Sequence, residues 1–163
     1  MHSVSKIEMS ERLHKSWRFL SGAEVTFREL KDDIPAPDRR YMTIVIPIGE
    51  TNNNPRSAIA VGLLISRAEA VRVASFMFNM DEGKLTEEDI LDACKESCNV
   101  LGGGLSFDDE NKLGIPKEIS HDHFIELQHA SSFTVTFSSN KPHDGQIILT
   151  ILFLNNSQLL NGI

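Results

Sequence analysis

Four polar residues in one short stretch, Asp92, Lys95, Glu96 and Asn99, carry the clearest chemical potential in this sequence. A carboxylate pairs with a cation, and a carboxamide both donates and accepts hydrogen bonds. Glu96 beside Asn99 is therefore equipment for docking a positive group and holding a water. Such use requires the side chains to project together, which the separations of four and three residues in Asp92, Glu96 and Asn99 achieve on a helix. The stretch from Glu87 to Leu101 has that period. At about 100° per residue, Ile90, Cys94, Ser97, Cys98 and Leu101 share one side, and Glu88, Asp92, Lys95, Glu96 and Asn99 the other. Thr86 with Asp89 three positions later signals the helix start, the acidic run Glu87, Glu88, Asp89 suits the positive end of its dipole, and Gly102, Gly103 and Gly104 predict its end. On spacing alone, acidic and amide residues opposite an apolar stripe are also what any solvated helix face presents.

The surrounding elements must hold this helix in place. Met9, Leu13, Trp17 and Leu20 form one apolar stripe, predicting an amphipathic helix over Met9 to Leu20 with Gly22 just past its end. Strands are predicted over Ala23 to Leu30, Tyr41 to Ile48 and Ala58 to Ile65, with a loop over Lys31 to Arg39 and a turn over Gly49 to Ser57. Ser66 followed by Glu69 reads as a capping box opening a helix from Arg67 to about Met80. Leu105 to Lys117 reads as a loop, its apolar residues Leu105, Phe107, Leu113 and Ile115 too scattered to fix a period. Three strands are predicted after it, over His123 to Gln128, Ser131 to Ser138 and Gln146 to Leu154, with a turn near Asn140 to Gly145. Short polar connections between consecutive strands favour antiparallel pairing with helices packed against the sheet, an α+β arrangement.

Composition narrows the function classes. The chain has 163 residues and a net charge of -7, with 24% charged and 40% hydrophobic residues, the balance of one ordinary globular domain. Without a dense Lys and Arg cluster, nucleic acid is not an expected partner. No apolar run reaches the roughly 18 to 20 residues a membrane span needs, so no membrane partner is expected, and the expected location is the cytoplasm. The two cysteines, Cys94 and Cys98, cannot complete a structural zinc site and read as small buried apolar groups.

Other constellations rank lower. His121-Asp-His123 lacks a convergent third metal ligand, and Asp108-Asp-Glu110 lacks the alternating spacing of a calcium loop and reads as a solvated turn. Gly102 to Gly104 fall at a helix C-terminus, where the dipole repels anions, so they are not read as a phosphate cradle. Ser97 points inward on the predicted helix, against use as a nucleophile.

The segment Asp92-Ala-Cys-Lys-Glu96-Ser-Cys-Asn99-Val-Leu-Gly102-Gly resembles the signature helix of the CheC/CheX family of chemotaxis phosphatases, in which an acidic or serine residue precedes a Glu-x-x-Asn pair followed closely by small residues. The stretch Ala58-Ile-Ala-Val-Gly-Leu-Leu-Ile65, the capped helix after it and the lead-in Leu85-Thr-Glu-Glu-Asp-Ile-Leu-Asp-Ala93 also look like the CheX type, so the likeness covers most of the chain. A single Glu-x-x-Asn pair is similar to the one-site CheX branch and unlike the two-site CheC type. Two departures stand out. Pro116 follows Asn99 after sixteen residues, a shorter interval than the family proline has, and Ser97 and Cys98 stand between the key pair where apolar or small residues are more usual.

The resemblance implies a single CheX-like domain over residues 1–163 with a CheC-like α+β fold, a largely antiparallel sheet of about six strands with helices packed against it. It implies a phosphatase acting on the phospho-aspartate of a CheY-like response regulator. Asn99 would position the attacking water and Glu96 would pair with the receiver's active-site lysine, with Asp92 and Lys95 in supporting or partner-binding roles. Mg2+ is expected on the partner receiver domain, so no cofactor or metal is expected on this chain. The implied partner is the phosphorylated receiver, with a homodimer through edge strands as a further expectation. A non-catalytic module that binds a receiver or a flagellar-switch component is the alternative reading.

Overall fold

A computed structural model describes residues 5–31, 40–49, 58–105, 112–140, 146–161 and 163. Helix α1 (Lys6–Ser21) leads to strand β1 (Phe27–Leu30), then β2 (Tyr41–Gly49) and β3 (Ala58–Ser66). Helices α2 (Arg67–Phe78) and α3 (Glu87–Gly104) follow, with a 3-10 turn at Glu82–Lys84 between them. Two brief strands, β4 (Lys112–Leu113) and β5 (Lys117–Glu118), precede helix α4 (His121–Ala130), and β6 (Ser131–Ser139) and β7 (Ile147–Leu154) close the sheet. The strand order is β1-β6-β7-β3-β2-β4, with β5 also on β2. Among the described residues every pairing is antiparallel, so the α+β expectation holds.

The two-residue period of the strands divides their side chains between two apolar layers. Ile44 and Ile46 of β2, Val61 and Leu63 of β3 and Leu149 and Ile151 of β7 face Leu13 and Trp17 of α1, Val73 of α2 and Cys98 and Leu101 of α3. Val45, Ala60, Leu64, Ile148 and Leu152 point the other way, toward Phe124 and Leu127 of α4. Burial on both faces explains why β2, β3 and β7 read as near-continuous apolar runs.

Caps set the helix limits. Ser5 Oγ accepts from the Glu8 N–H at 3.1 Å, and Gly22 closes α1 at φ 72°, a left-handed conformation that favours glycine. The Phe76 ring also covers Gly22 so closely that a Cβ there would lie 2.7 Å from its Cε2. Ser66 caps α2, accepting from the Glu69 N–H at 3.2 Å. The Glu69 carboxylate accepts from Arg72 Nε at 2.8 Å.

Four sequence expectations need correction. His123 to Gln128 is the body of α4 and not a strand; Ser120 caps it by accepting from the His123 N–H at 3.1 Å, and only Phe124 and Leu127 of its side chains are fully buried. The ladder of β1 begins at Phe27 and not Ala23, although Val25 is buried. The segment Leu105 to Lys117 is not all loop: Lys112–Leu113 and Lys117, the latter with Glu118, pair with the edge of β2. The helix expected to stop at Leu101 continues through Gly104, so the three glycines do not follow α3 but form its last turn. The predicted loop over 32–39, the turn over 50–57, the Asp108 to Glu110 run and the turn over 141–145 lie outside the described residues.

The edge pairing is irregular. Leu113 pairs with Ile48 and Lys117 with Val45, so the three residues 114–116 lie opposite the two residues 46–47. One extra residue on one strand is a β-bulge, which bends the strand and re-aims its side chains. The Gly114 N–H donates to the Pro47 carbonyl at 2.7 Å inside this bulge.

Candidate functional site

Helix α3 is fastened at both ends. At its start Thr86 and Asp89 form a complete capping box: the Thr86 N–H donates to Asp89 Oδ2 at 2.9 Å and the Asp89 N–H to Thr86 Oγ1 at 3.1 Å. Arg67, the first residue of α2, donates through both terminal guanidinium nitrogens to the Glu87 carboxylate, Nη1 to Oε2 at 2.9 Å. That hydrogen bond holds the Glu87 carboxyl below the usual carboxylate range. At the other end Arg12 of α1 donates to the Gly104 carbonyl at 3.4 Å, placing a cation at the negative end of the helix dipole.

The inward face matches the periodicity. Ile90, Ala93, Cys94, Ser97, Cys98, Leu101 and Gly102 are buried, and burial of one Leu or Ile contributes roughly 1.5–3 kcal/mol. Burial pushes the Cys94 thiol up to about 12, with a smaller contribution from the Glu118 charge. It pushes Cys98 up as well. Both thiols are free cysteines and act as apolar filling. Ser97 is fully buried and its Oγ donates to the Ala93 carbonyl at 2.7 Å, which commits the hydroxyl to the helix backbone.

The outward face carries the candidate residues. Asp92 and Glu96 are exposed, and Lys95 and Asn99 are half-buried. Glu96 and Asn99, three apart on a regular helix, have neighbouring Cβ atoms about 5–6 Å apart. Among the described residues none of these four takes part in an ion pair. The face therefore presents a carboxylate and a carboxamide whose hydrogen-bonding capacity is open to an outside partner.

Sequence reasoning missed the flank of this face. Gly102 and Gly103, three and four residues beyond Asn99, lie beside β4. A Cβ on Gly103 would sit 3.3 Å from Leu113 Cδ1, and one on Gly102 would sit 3.3 Å from Ile46 Cγ2 and 3.9 Å from Leu113 Cδ2. Their small size brings the helix end against the sheet and its edge strand. The available signal was that Leu113 and Ile115 are apolar residues fitting no period in an otherwise polar segment. Pro116, half-buried, lies in the bulge between β4 and β5.

The remaining candidates do not gather. His121 Nε2 lies 2.9 Å from the Tyr41 carbonyl, and two residues apart on α4 the His121 and His123 side chains diverge. Among the described residues no group of three His, Cys, Asp or Glu side chains converges to hold a metal, and no helix is long and apolar enough to cross a membrane.

A chain of the CheX–CheY–BeF3–Mg2+ complex from Borrelia burgdorferi has this architecture, with a TM-score of 0.67 over 93% of the present chain and 99% of its own at 12% identity. The chemotaxis protein CheX from Vibrio vulnificus gives 0.61 over 90% and 96% at 15% identity. The chain has the CheX fold. A chain of the FliG–FliM complex from H. pylori matches the same CheX-type architecture with a TM-score of 0.52 over 96% and 98% at 11% identity. No protein-family model and no curated protein matches the sequence. The CheX fold thus rests on shape, at identities where little of the amino-acid sequence is shared.

Proposed function

We propose that this chain is a single-domain, CheX-like member of the CheC/CheX family that hydrolyses the phospho-aspartate of a CheY-like response regulator. The observation that carries the reading is the pairing of Glu96 with Asn99 on the outward face of α3, on a fold shared with a chain of a CheX–CheY complex. An acyl phosphate is already reactive, so the protein has to position and to stabilise charge more than to supply a strong base. The Asn99 amide accepts from and donates to a water, orienting it for in-line attack on phosphorus. The Glu96 carboxylate docks the receiver's active-site lysine. Asp92 and Lys95 flank the pair and contact the partner. Mg2+ belongs to the receiver, where it neutralises charge on the phosphoryl oxygens. The scissile P–O bond breaks toward the receiver's aspartate, and the water oxygen becomes the fourth oxygen of inorganic phosphate.

The test is the decay of a phosphorylated CheY-type receiver in Mg2+ buffer with and without this protein. Asn99→Ala should abolish the acceleration while leaving the unfolding midpoint nearly unchanged, because a half-exposed helix position accepts alanine. Glu96→Ala should weaken docking and reduce its dependence on salt. Full activity in Asn99→Ala would refute the role. Binding of several receivers without accelerated decay would favour a receiver-docking module instead, a reading the FliM-like shape also fits.

A further inference from the structure

The geometry points to the bulged edge segment 113–116, with Ile115 at its apex, as the apolar anchor that seats the receiver domain against α3. This inference rests on the proposed receiver substrate and adds the surface that selects it. Glu96 and Asn99 by themselves offer two polar side chains on one helix face, whereas a specific protein complex buries about 800 Å² on each partner. Contact must therefore spread from the pair, and interface centres are built from large apolar or aromatic groups shielded from charge.

The edge segment whose Leu113 packs on the end of α3 exposes two large apolar side chains, Leu113 and Ile115, 38% and 74% exposed. The others sit on different elements: Ile7 and Phe19 on α1, Phe76 and Phe78 on α2, Phe133 on β6, and Leu159 in the 3-10 turn Ser157–Leu160. Leu113 lies against the side-chain-free surface of Gly102 and Gly103, one turn past Asn99. Leu113 thus adjoins the end of the helix that carries Glu96 and Asn99, and Ile115 stands two residues further along the same edge segment.

The bulge explains why Ile115 faces outward. A regular ladder would have placed two residues opposite 46–47. The Gly114 to Pro47 hydrogen bond at 2.7 Å holds the start of the segment against β2, and the third residue breaks the ladder after it, where Ile115 is left exposed. The same irregularity keeps the edge from offering an unbroken row of backbone groups to a second sheet, which favours a side-chain contact over strand addition.

The experiment measures receiver dephosphorylation against receiver concentration, and in parallel the binding of the same CheY-type receiver activated with BeF3 and Mg2+. Ile115→Glu should raise KM and Kd at least about tenfold with kcat within about twofold of the parent, since about 1.4 kcal/mol corresponds to each factor of ten. Ile115→Ala should give a smaller rise in the same direction. An unchanged unfolding midpoint for both variants will show that the fold is intact. A KM and Kd within twofold of the parent in Ile115→Glu overturns the inference. Light scattering that finds a dimeric parent and a monomeric Ile115→Glu, with receiver affinity per protomer unchanged, also overturns it and assigns the bulge to a second copy. Loss of the phosphatase reading is separable, because it would show as full kcat in Asn99→Ala, while receiver binding would still report on Ile115.

Discussion

Substituting Gly62→Ala should destabilise the protein by about 1–2 kcal/mol without touching the candidate site. Gly62 is in the middle of β3, and a Cβ built there would lie 2.4 Å from Phe124 Cε2 and 3.0 Å from its Cζ. Ordinary carbon contacts are about 3.5–4.0 Å, so the ring has to retreat by roughly 1 Å. Phe124 is fully buried and, with Leu127, anchors α4 to its face of the sheet, so the retreat is resisted by the rest of that layer. Overpacking of this kind costs about 1–3 kcal/mol, and alanine returns roughly 0.5–1 kcal/mol by restricting the unfolded chain. For a chain of this size the net loss lowers Tm by about 2–8 °C. Urea unfolding followed by circular dichroism should show a lower midpoint at constant slope, while receiver dephosphorylation stays at the parental rate because α3 packs on the opposite face. The double variant Gly62→Ala with Phe124→Leu should be less destabilised than the two single effects summed. Full additivity, or a Gly62→Ala protein as stable as the parent, would show that α4 does not depend on this contact.

Two further outcomes follow from the ends and the inner face of α3. Thr86→Ala removes half of the capping box and should cost about 1 kcal/mol in urea unfolding, with Thr86→Ser close to neutral; an alanine variant with parental stability would mean the box contributes nothing. Unfolded thiols ionise near pH 8.5 whereas burial holds Cys94 at about 12 and raises Cys98 too, so their stabilising effect is complete below about pH 8.5 and is lost as pH rises toward the folded values. Unfolding measured between pH 8 and 11 should fall more steeply for the parent than for a Cys94→Ala, Cys98→Ala variant; equal slopes would contradict the assigned burial.

The readable part of this protein was the part governed by local period. Helix α3 has buried and exposed residues at regular 3.6-residue spacing, so its inner and outer faces were legible, including the projection of Glu96 with Asn99. Helix α4 was not, because its short body buries Phe124 and Leu127 and leaves Ile125 half-covered, a pattern brief enough to pass for a strand. Ser120, its cap, was the missed signal. Strands β4 and β5 have two residues each and exist because the edge of β2 pairs with them, a long-range condition that leaves no local period. The glycines misled for a related reason: intrinsic propensity argues for a stop, but the close approach of Gly102 to Ile46 and Leu113 draws the helix onward. What surrounds Asn99 is thus set by tertiary contacts, although Asn99 itself was visible.

That final turn carries a dynamic consequence. Each of its three glycines disfavours helix by about 1 kcal/mol relative to alanine, so residues 102–104 keep their conformation on borrowed stability from Leu101, Leu105 and the edge segment. In native-state hydrogen exchange the amides there should open well before those near Cys94, in step with residues 112–114. The receptive surface beside Asn99 would then be a small cooperative unit of its own, seated on a far more rigid helix.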